Sequence, residues 1–438
     1  MNPTRKPQVG LIAVGDAEVE EQKRDCEALI EGIRGFDVDI EGIRGFDVEP
    51  ISKGIKANAG QIELAVEDLS SHALDVLVIA VLRGAQAIQR AAESIDCPCI
   101  IRVVKERWAW PSSALALGAL KEKREKVRLV YGSDDDKDVL NEFRESLRAA
   151  FALSRLRRSR FGVIGSLFPN LVSRNYDKTR IKVRLGIEIV KISFEEVRQE
   201  ISAVSEDVHA IESLRRNIHD RFTVEAAESV LTPGIKLHLA LKRIAKKHGL
   251  DGFAIECWTG MPEEIGLNPC LGFVEDDYTI ACEGDVLTCI AAHTIRYLTG
   301  INPYTGDVYD LDNENILTLV HCGAPASLAH DPKSVTISES VQAGERGFPT
   351  AVCRPHIENG DVTVLSLYGK GCDYVHLSTG EWIETRRDEK MWVKIRLAGE
   401  RRAFLEACLA NHYVVVPGNV LKELELLCEW LDIGIVKT

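Results

Sequence analysis

The fold class is indicated by Leu74–Val81, a stretch with the sequence Leu-Asp-Val-Leu-Val-Ile-Ala-Val. An almost unbroken apolar run of this length is typical of a parallel strand that is buried on both faces. Strand-like and helix-like patterns alternate around it, in the order Gln8–Val14, Val19–Ile33, Leu74–Val81, Ala85–Glu93, Cys99–Val104, Ser113–Lys123 and Lys126–Tyr131. This alternation predicts an α/β fold built on a doubly wound, Rossmann-like parallel sheet.

A second α/β unit is predicted after the long helix Asp138–Leu156. The basic stretch Arg155–Arg160 favours a solvated linker, with an anion site as the alternative, so we place a domain boundary near Arg155. The patterns that follow predict strands at Phe161–Ile164, Glu188–Ile192 and Gly252–Cys257, and helices at Phe194–Ile211 and Thr223–His248 with a break at Pro233-Gly234. We expect a second Rossmann-like domain from these elements.

The pattern changes after Gly300 to short strands that are separated by Gly, Asp and Asn turns. These strands are predicted at Ile316–His321, Ser334–Glu339, Val362–Tyr368, Tyr374–Leu377, Trp392–Leu397 and Tyr413–Val416, before a final helix at Val420–Leu431. Short strands with frequent turn residues predict a mainly antiparallel, barrel-like domain. The three predicted domains are therefore residues 1–155, 156–300 and 301–438.

Composition excludes several classes of function. The 438 residues suffice for two or three domains, and the net charge of −13 argues against nucleic acid or an anionic membrane as a partner. Apolar runs stay below the ~18 residues of a membrane span, and the N-terminus has no signal-peptide pattern. The twelve cysteines lie mostly in apolar runs without zinc-site spacing, which is typical of buried thiols in the cytoplasm. No G-x-G-x-x-G or Walker A motif supports a dinucleotide or ATP.

Three short motifs carry candidate metal ligands. Glu283 lies in Ala-Cys-Glu-Gly-Asp between a predicted strand and an apolar helix, Asp307 ends Tyr-Thr-Gly-Asp, and His412 lies in Asn-His-Tyr. Two carboxylates and an imidazole suit a divalent metal that keeps positions open for substrate oxygens. A carboxylate at the end of a strand is also where an open α/β sheet binds its ligands. These residues therefore predict a metal site.

The same motifs resemble the L-fucose/L-arabinose isomerase superfamily, and among its members the shorter fucose isomerase-like branch. The resemblance is carried in order by Ala281–Asp285 with its apolar helix, Asp307, Leu319–Pro325 and Asn411–Tyr413, and is specific from about Leu237 onward. It implies that Glu283, Asp307 and His412 bind Mn²⁺, with Mg²⁺ or another divalent metal as alternatives. It also implies that the two carboxylates perform the acid–base chemistry.

Other residues are candidates for substrate contacts. In the arabinose branch a His in a motif like that of His321 binds metal, whereas in the fucose branch it need not, so a core role is the alternative. Trp258 follows a strand and could stack on a sugar or simply pack in the core. The resemblance implies trimers or hexamers whose active sites are completed by a neighbouring subunit, through Arg83-Gly84 and Trp108–Ser113. Asp285, at a helix start, is expected only to cap that helix.

The implied reaction is the interconversion of an aldose and a ketose through a metal-stabilised enediolate, with Glu283 and Asp307 as the acid–base pair. A pentose, a 6-deoxyhexose or a related sugar is the expected substrate. Two alternatives from other classes stay open. One is a non-catalytic sugar-binding or regulatory protein on the same scaffold, and the other is a metal-dependent aldolase or epimerase.

A tandem repeat interrupts the first α/β unit. The sequence Glu-Gly-Ile-Arg-Gly-Phe-Asp-Val occurs at Glu31–Val38 and again, letter for letter, at Glu41–Val48. Two copies are too few for a solenoid, so a duplication within a surface loop is the favoured interpretation. Because only one copy can connect the first helix to the second strand, we expect the other to bulge out.

Overall fold

The computed structural model describes residues 7–34, 48–82, 88–105, 108–123, 126–133, 135–341 and 349–438. The first unit is a five-stranded parallel sheet flanked by helices. Its elements are β1 (Gln8–Val14), α1 (Glu20–Arg34), β2 (Glu49–Lys56), α2 (Ala59–Ser70), β3 (Val76–Val81), α3 (Ile88–Glu93), β4 (Cys99–Val103), α4 (Ala109–Glu122), β5 (Val127–Tyr131) and α5 (Lys137–Leu156). The strand order β2-β1-β3-β4-β5 confirms the predicted doubly wound sheet. Across the described ranges, no helix is long and apolar enough to cross a membrane.

The strand β3 shows why its sequence is almost continuously apolar. Leu77, Ile79 and Val81 pack into the core that α2, α3 and α4 cover, whereas Val76 and Val78 pack on the opposite face against α1 and α5. Successive side chains of a strand point to opposite faces, so a sheet covered on both sides requires apolar residues at every position.

The second unit is a four-stranded parallel sheet with the order β10-β9-β6-β7. Its elements are β6 (Arg160–Ile164), α6 (Lys178–Leu185), β7 (Glu188–Ile192), α7 (Phe194–Ser205), α8 (Val208–Arg221), β8 (Thr223–Val224), α9 (Glu228–His248), β9 (Gly252–Ile255), α10 (Gly260–Ile265), β10 (Thr279–Ala281) and α11 (Val286–Thr299). The helix α5 joins the two units, because Leu147 packs under the first sheet and Leu153 packs with α11.

Two predicted helices of this unit are corrected. The stretch predicted as one helix, Phe194–Ile211, is divided between α7 and α8, because the side chain of Asp207 caps the start of α8 by accepting a hydrogen bond from the backbone N–H of Ala210. The break expected at Pro233 is absent, and α9 continues through it. A proline in the second turn removes only one helical hydrogen bond, and buried Leu231 and Ile235 hold the segment in place.

The C-terminal unit is a closed antiparallel barrel of six strands, which confirms the predicted barrel-like domain. Its elements are β11 (Tyr304–Leu311), β12 (Ile316–His321), β13 (Thr336–Val341), β14 (Pro349–Arg354), β15 (Gly360–Tyr368), β16 (Tyr374–Arg387), β17 (Met391–Leu397), α12 (Arg401–Ala407), β18 (His412–Pro417), α13 (Leu421–Leu431) and β19 (Gly434–Lys437). The barrel order is β15-β18-β11-β12-β17-β16, and pairing of β15 with β16 closes it.

Some strands of this region differ from their predictions. The strand predicted at Ser334–Glu339 lies outside the barrel, because β13 pairs with β14 and β8 in a separate three-stranded sheet. The strand predicted at Tyr374–Leu377 is the first part of β16, which has 14 residues. The strand β11, which carries Asp307, was not predicted.

Most of the repeat lies within residues 35–47, outside the described residues, whereas Glu31–Arg34 form the end of α1 and Val48 lies directly before β2. Deleting Asp39–Val48 would place Val38 directly before β2, where the same residue type now stands, because the two copies are identical. We expect the shortened protein to keep its fold and oligomeric state, with a melting temperature equal to or above that of the parent, since surface insertions add no packing. Circular dichroism and size-exclusion chromatography of both proteins would measure this. Insoluble shortened protein would show that both copies are required.

Candidate active site

The three predicted ligand side chains lie together where the second sheet meets the barrel. Asp307 on β11 and His412 at the start of β18 are direct partners across an antiparallel pair. Glu283 reaches them from the loop between β10 and α11. The Nε2 atom of His412 lies 3.8 Å from Glu283 Oε2 and 3.5 Å from Asp307 Oδ1. The fold thus brings side chains from two sheets to one point.

The backbone at Glu283 adopts an unusual conformation that aims its side chain. Glu283 has φ of 59° and Gly284 has φ of 71°, both in the left-handed region. A Cβ atom on Gly284 would lie only 2.1 Å from the carbonyl oxygen of Ser166, so the close approach of this loop requires glycine. The N–H of Phe168 donates to the carbonyl oxygen of Glu283 at 2.9 Å and secures the turn. A non-glycine residue in this region costs about 1–3 kcal/mol, which is typical of functional sites.

A buried ion pair orients His412. The Nδ1 atom of His412 lies 2.9 Å from Asp285 Oδ2, and Arg174 Nε donates to the same oxygen at 2.6 Å. Asp285 and Arg174 are both fully buried. Because an ionised carboxylate only accepts hydrogen bonds, Nδ1 carries a proton, and Nε2 is the nitrogen that the neutral ring offers to a metal. This is the arrangement by which proteins orient an imidazole toward a metal.

Asp285 therefore does more than the helix cap predicted for it. Its Oδ1 atom does accept the N–H of Thr288 at 3.0 Å, as a cap would. Its Oδ2 atom also accepts hydrogen bonds from Thr288 Oγ1, Arg174 and His412. Arg174 in turn donates to Thr288 Oγ1 and to the carbonyl oxygen of Leu367. The cap is one part of a buried network that links α11 to the barrel.

The electrostatics of the site follow from burial and from these contacts. Burial raises the pKa of Glu283 above its ordinary value. Burial opposes ionisation of Asp285, but the Arg174 guanidinium and the hydrogen bond from His412 outweigh it and hold the pKa of Asp285 well below its usual range. Burial disfavours protonated His412, yet Asp285, Asp307 and Glu283 outweigh it and raise the pKa of His412.

His321 joins the cluster as a fourth polar group. It ends β12, and one of its ring nitrogens, a carboxylate oxygen of Asp307 and a ring nitrogen of His412 all lie within 4.8 Å of one another. Burial lowers the pKa of His321 to about 4, so its imidazole is neutral near pH 7. The structure places His321 beside the predicted ligands, which is compatible with either a metal or a substrate contact.

The donor set fits a divalent metal. The Nε2 atom of His412 is buried and has no hydrogen-bond partner among the described residues, although it faces two carboxylates. A buried nitrogen without a partner is costly unless a ligand satisfies it. Two carboxylate oxygens and an imidazole nitrogen suit Mn²⁺ or Mg²⁺, and the side chain of Asp307 is 35% exposed, which leaves access from outside.

The remaining predicted site residues lie farther out or outside the described part of the chain. Trp258 is partly exposed on the loop after β9 and contacts the ring edge of Phe168 at a centroid distance of 6.3 Å. The N–H of Glu283 donates to the thiol of neighbouring Cys257, so Trp258 lies beside the Glu283 turn. Arg83 belongs to residues 83–87, outside the described residues, and its role stays a prediction.

Two polar residues of the site were missed from the sequence. Asn411 donates from Nδ2 to Asp307 Oδ1 at 2.8 Å, and its position directly before His412 was a usable signal. Arg174 ends a one-turn 3₁₀ helix, Val172–Arg174, in the loop after β6, and no pattern there distinguishes it from a surface arginine. Its burial depends on the contact between that loop, α11 and the barrel, which only the tertiary structure shows.

No family model matches the sequence. Two known proteins are similar to it, the sulfoquinovose isomerases of Priestia aryabhattai and of Priestia megaterium (strain ATCC 12872 / QMB1551). Each is 25% identical over 330 residues, which is 72% of this chain and 72% of the relative. This similarity indicates an enzyme of the aldose–ketose isomerase class.

Proposed function

We propose that the protein is a metal-dependent aldose–ketose isomerase of the fucose isomerase-like kind, and that its substrate is a pentose, a 6-deoxyhexose or a related sugar. The observation that carries the proposal is the buried, unpartnered Nε2 of His412, which faces Glu283 and Asp307 at one end of the barrel. The relatives, which are named for isomerisation of the sugar sulfoquinovose, support the reaction class.

Glu283, Asp307 and His412 would hold the metal, and His321 lies near enough to be a fourth ligand or a substrate contact. A bound Mn²⁺ or Mg²⁺ would stabilise, as a Lewis acid, the negative charge that develops on the sugar oxygens. Asp285 keeps the Nε2 lone pair of His412 available by accepting the Nδ1 proton. The buried ion pair with Arg174 holds Asp285 ionised for this purpose.

The two carboxylates are the proton carriers in this proposal. Conversion of an aldose to a ketose takes a proton from carbon 2 and adds one to carbon 1, while a hydroxyl proton passes from oxygen 2 to oxygen 1. Burial raises the pKa of Glu283, which makes this group a better proton acceptor than an ordinary carboxylate. Asp307 is more exposed and is oriented by Asn411, so it can exchange a proton with substrate or water.

The oligomeric state is part of the proposal. We infer a homo-oligomer, a trimer or hexamer, in which a neighbouring subunit covers the active site. Large apolar side chains at the start of α4 support this, because Trp108, Trp110 and Leu115 are 64%, 52% and 79% exposed. Exposed apolar patches of this kind mark protein interfaces. Size-exclusion chromatography with light scattering would test it, and a strictly monomeric active enzyme would contradict it.

Metal binding is expected to depend on the three proposed ligands. In protein purified with Mn²⁺, Glu283→Gln and His412→Ala should strongly reduce metal occupancy, because each removes one of three donors. Elemental analysis of the folded proteins measures the bound metal. The exposed His330 serves as a matched control, and His330→Ala should retain full occupancy. Full occupancy in both ligand variants would contradict the assignment.

The reaction class is tested by incubating metal-loaded protein with a panel of aldoses and ketoses in D₂O and following deuterium at carbon 2 by NMR. Exchange together with interconversion supports the isomerase. Exchange with carbon–carbon cleavage would indicate an aldolase, and inversion without a change of carbonyl position would indicate an epimerase. Binding without exchange would indicate a non-catalytic sugar-binding protein. Protein treated with a chelator provides the control for metal dependence.

A further inference from the structure

A lysine outside the predicted site lies on the same rim of the barrel. Lys390 is in the turn between β16 and β17, directly before Met391, which pairs with His321 of β12. Next along the rim, Asp307 pairs with the residue before His321 and also with His412. The strand register therefore places Lys390 beside His321, on the side of the site away from His412.

The turn that carries Lys390 is held firmly. The buried guanidinium of Arg354 donates to the carbonyl oxygens of Cys322, Asp388 and Glu389. Arg387 donates to the carbonyl oxygens of Ser334 and Arg354, and Trp392 Nε1 donates to Asp388 Oδ1. A cation on a fixed turn requires no ordering of the backbone when it binds a ligand, so such a position suits recognition.

The charge environment of Lys390 differs from that of neighbouring cations. Its ammonium has no hydrogen-bond or ion-pair partner in the part of the chain that the structure describes, although the residue is only partly exposed. Neighbouring cations differ, because Lys394 pairs with Glu384 and Arg396 pairs with Glu381. The pairing of adjacent Met391 with His321 places Lys390 on the rim that carries the site. An anion brought by a ligand would complete this arrangement.

We propose that Lys390 binds an anionic group at the far end of the sugar, and that the natural substrate is therefore an acidic sugar with a sulfonate, phosphate or carboxylate on its terminal carbon. The inference rests on the proposed isomerase function and specifies its substrate class. The Nζ atom would donate to an oxygen of the acidic group while the carbonyl end of the sugar lies at Glu283 and Asp307. The two site carboxylates repel an anion, so a cation on the opposite side favours one orientation of the sugar.

The test compares sugars that differ only at carbon 6, which are glucose, 6-deoxyglucose, 6-deoxy-6-sulfoglucose, glucose 6-phosphate and glucuronate. The metal-loaded enzyme should have a higher kcat/KM for at least one acidic sugar than for the neutral ones, and the preferred group identifies the acid. In Lys390→Gln the ratio of acidic to neutral kcat/KM should fall on the order of 10- to 100-fold, the loss expected for one hydrogen bond to a charged group. Lys390→Arg should retain most of the ratio.

The matched control is Lys394→Gln, four residues along β17, whose lysine pairs with Glu384 on the surface. It should leave the ratio as in the parent. Equal slowing of acidic and neutral sugars in Lys390→Gln would overturn the inference, because Lys390 would then act only on the site carboxylates. If the enzyme turns over neutral sugars as well as acidic ones, the inference about Lys390 is overturned, but the proposed isomerase function is not. Absence of exchange with every sugar would overturn the proposed function as well.

Discussion

Replacing Asp307 with Asn should lower turnover by at least ~10²-fold, because a positioned general base typically contributes that much. Asn keeps the size of the side chain and one oxygen donor but can neither carry the charge nor accept the proton. Some metal should remain bound, since Glu283, His412 and the amide oxygen still face the same point. Steady-state kinetics and metal analysis of the same preparation separate the two effects.

The control for this variant is Asp310→Asn on the same strand, whose side chain is exposed and lies away from the cluster. It should retain the turnover of the parent. An Asp307→Asn protein that is folded, metal-loaded and fully active would remove Asp307 from the proposed acid–base pair. Metal loss with normal turnover after metal is restored would assign Asp307 to metal binding alone.

Replacing Asp285 with Asn should destabilise the protein by about 3–5 kcal/mol, because it leaves the buried guanidinium of Arg174 without its counter-charge. If Asp285 acted only as a cap, this change would be nearly neutral, because Asn caps a helix as well as Asp. Metal affinity should also fall, on the order of 10- to 100-fold, because the group that orients His412 is weakened. Denaturant unfolding and metal titration measure the two effects.

Asp136→Asn is the matched control, because Asp136 also caps a helix, α5, but its side chain is exposed. Asn is as good a cap as Asp, so this change should be nearly neutral. Equal stability changes in the two variants would show that Asp285 acts only as a cap. The predicted difference arises from burial, which makes a lone charge far more costly inside the protein than at its surface.

The sequence by itself determined the α/β class and most of the strands. The run at Leu74–Val81 predicts a strand buried on both faces, and β3 is such a strand. Short strands with turn residues predicted the barrel, which the structure closes with six strands. The strand β11 was not predicted, because Tyr304–Leu311 contains Gly and Asp among its apolar residues. Its sequence therefore shows neither a continuous nor an alternating apolar pattern.

The candidate site was likewise predicted from the sequence only in part. Residue type and motif resemblance pointed to Glu283, Asp307 and His412, because two carboxylates and an imidazole in short motifs can be recognised along a chain. Their convergence on one point depends on strand register and on the turn at Glu283, where pairing across the barrel and a glycine at position 284 fix the geometry.

Only the tertiary structure decided the roles of Arg174, Asp285 and Lys390. Each is an ordinary charged residue in the sequence. The free energy that a charge contributes to the fold depends on its burial and on its partners. Arg174 and Asp285 meet across more than a hundred residues and are both fully buried, so they fix the imidazole of His412. The Lys390 ammonium has no partner among the described residues, and the turn between β16 and β17 is held by the guanidinium of Arg354, which donates to the carbonyl oxygens of Asp388 and Glu389. The sequence shows which side chains are present, whereas the fold decides which charges are removed from water and which can bind a ligand.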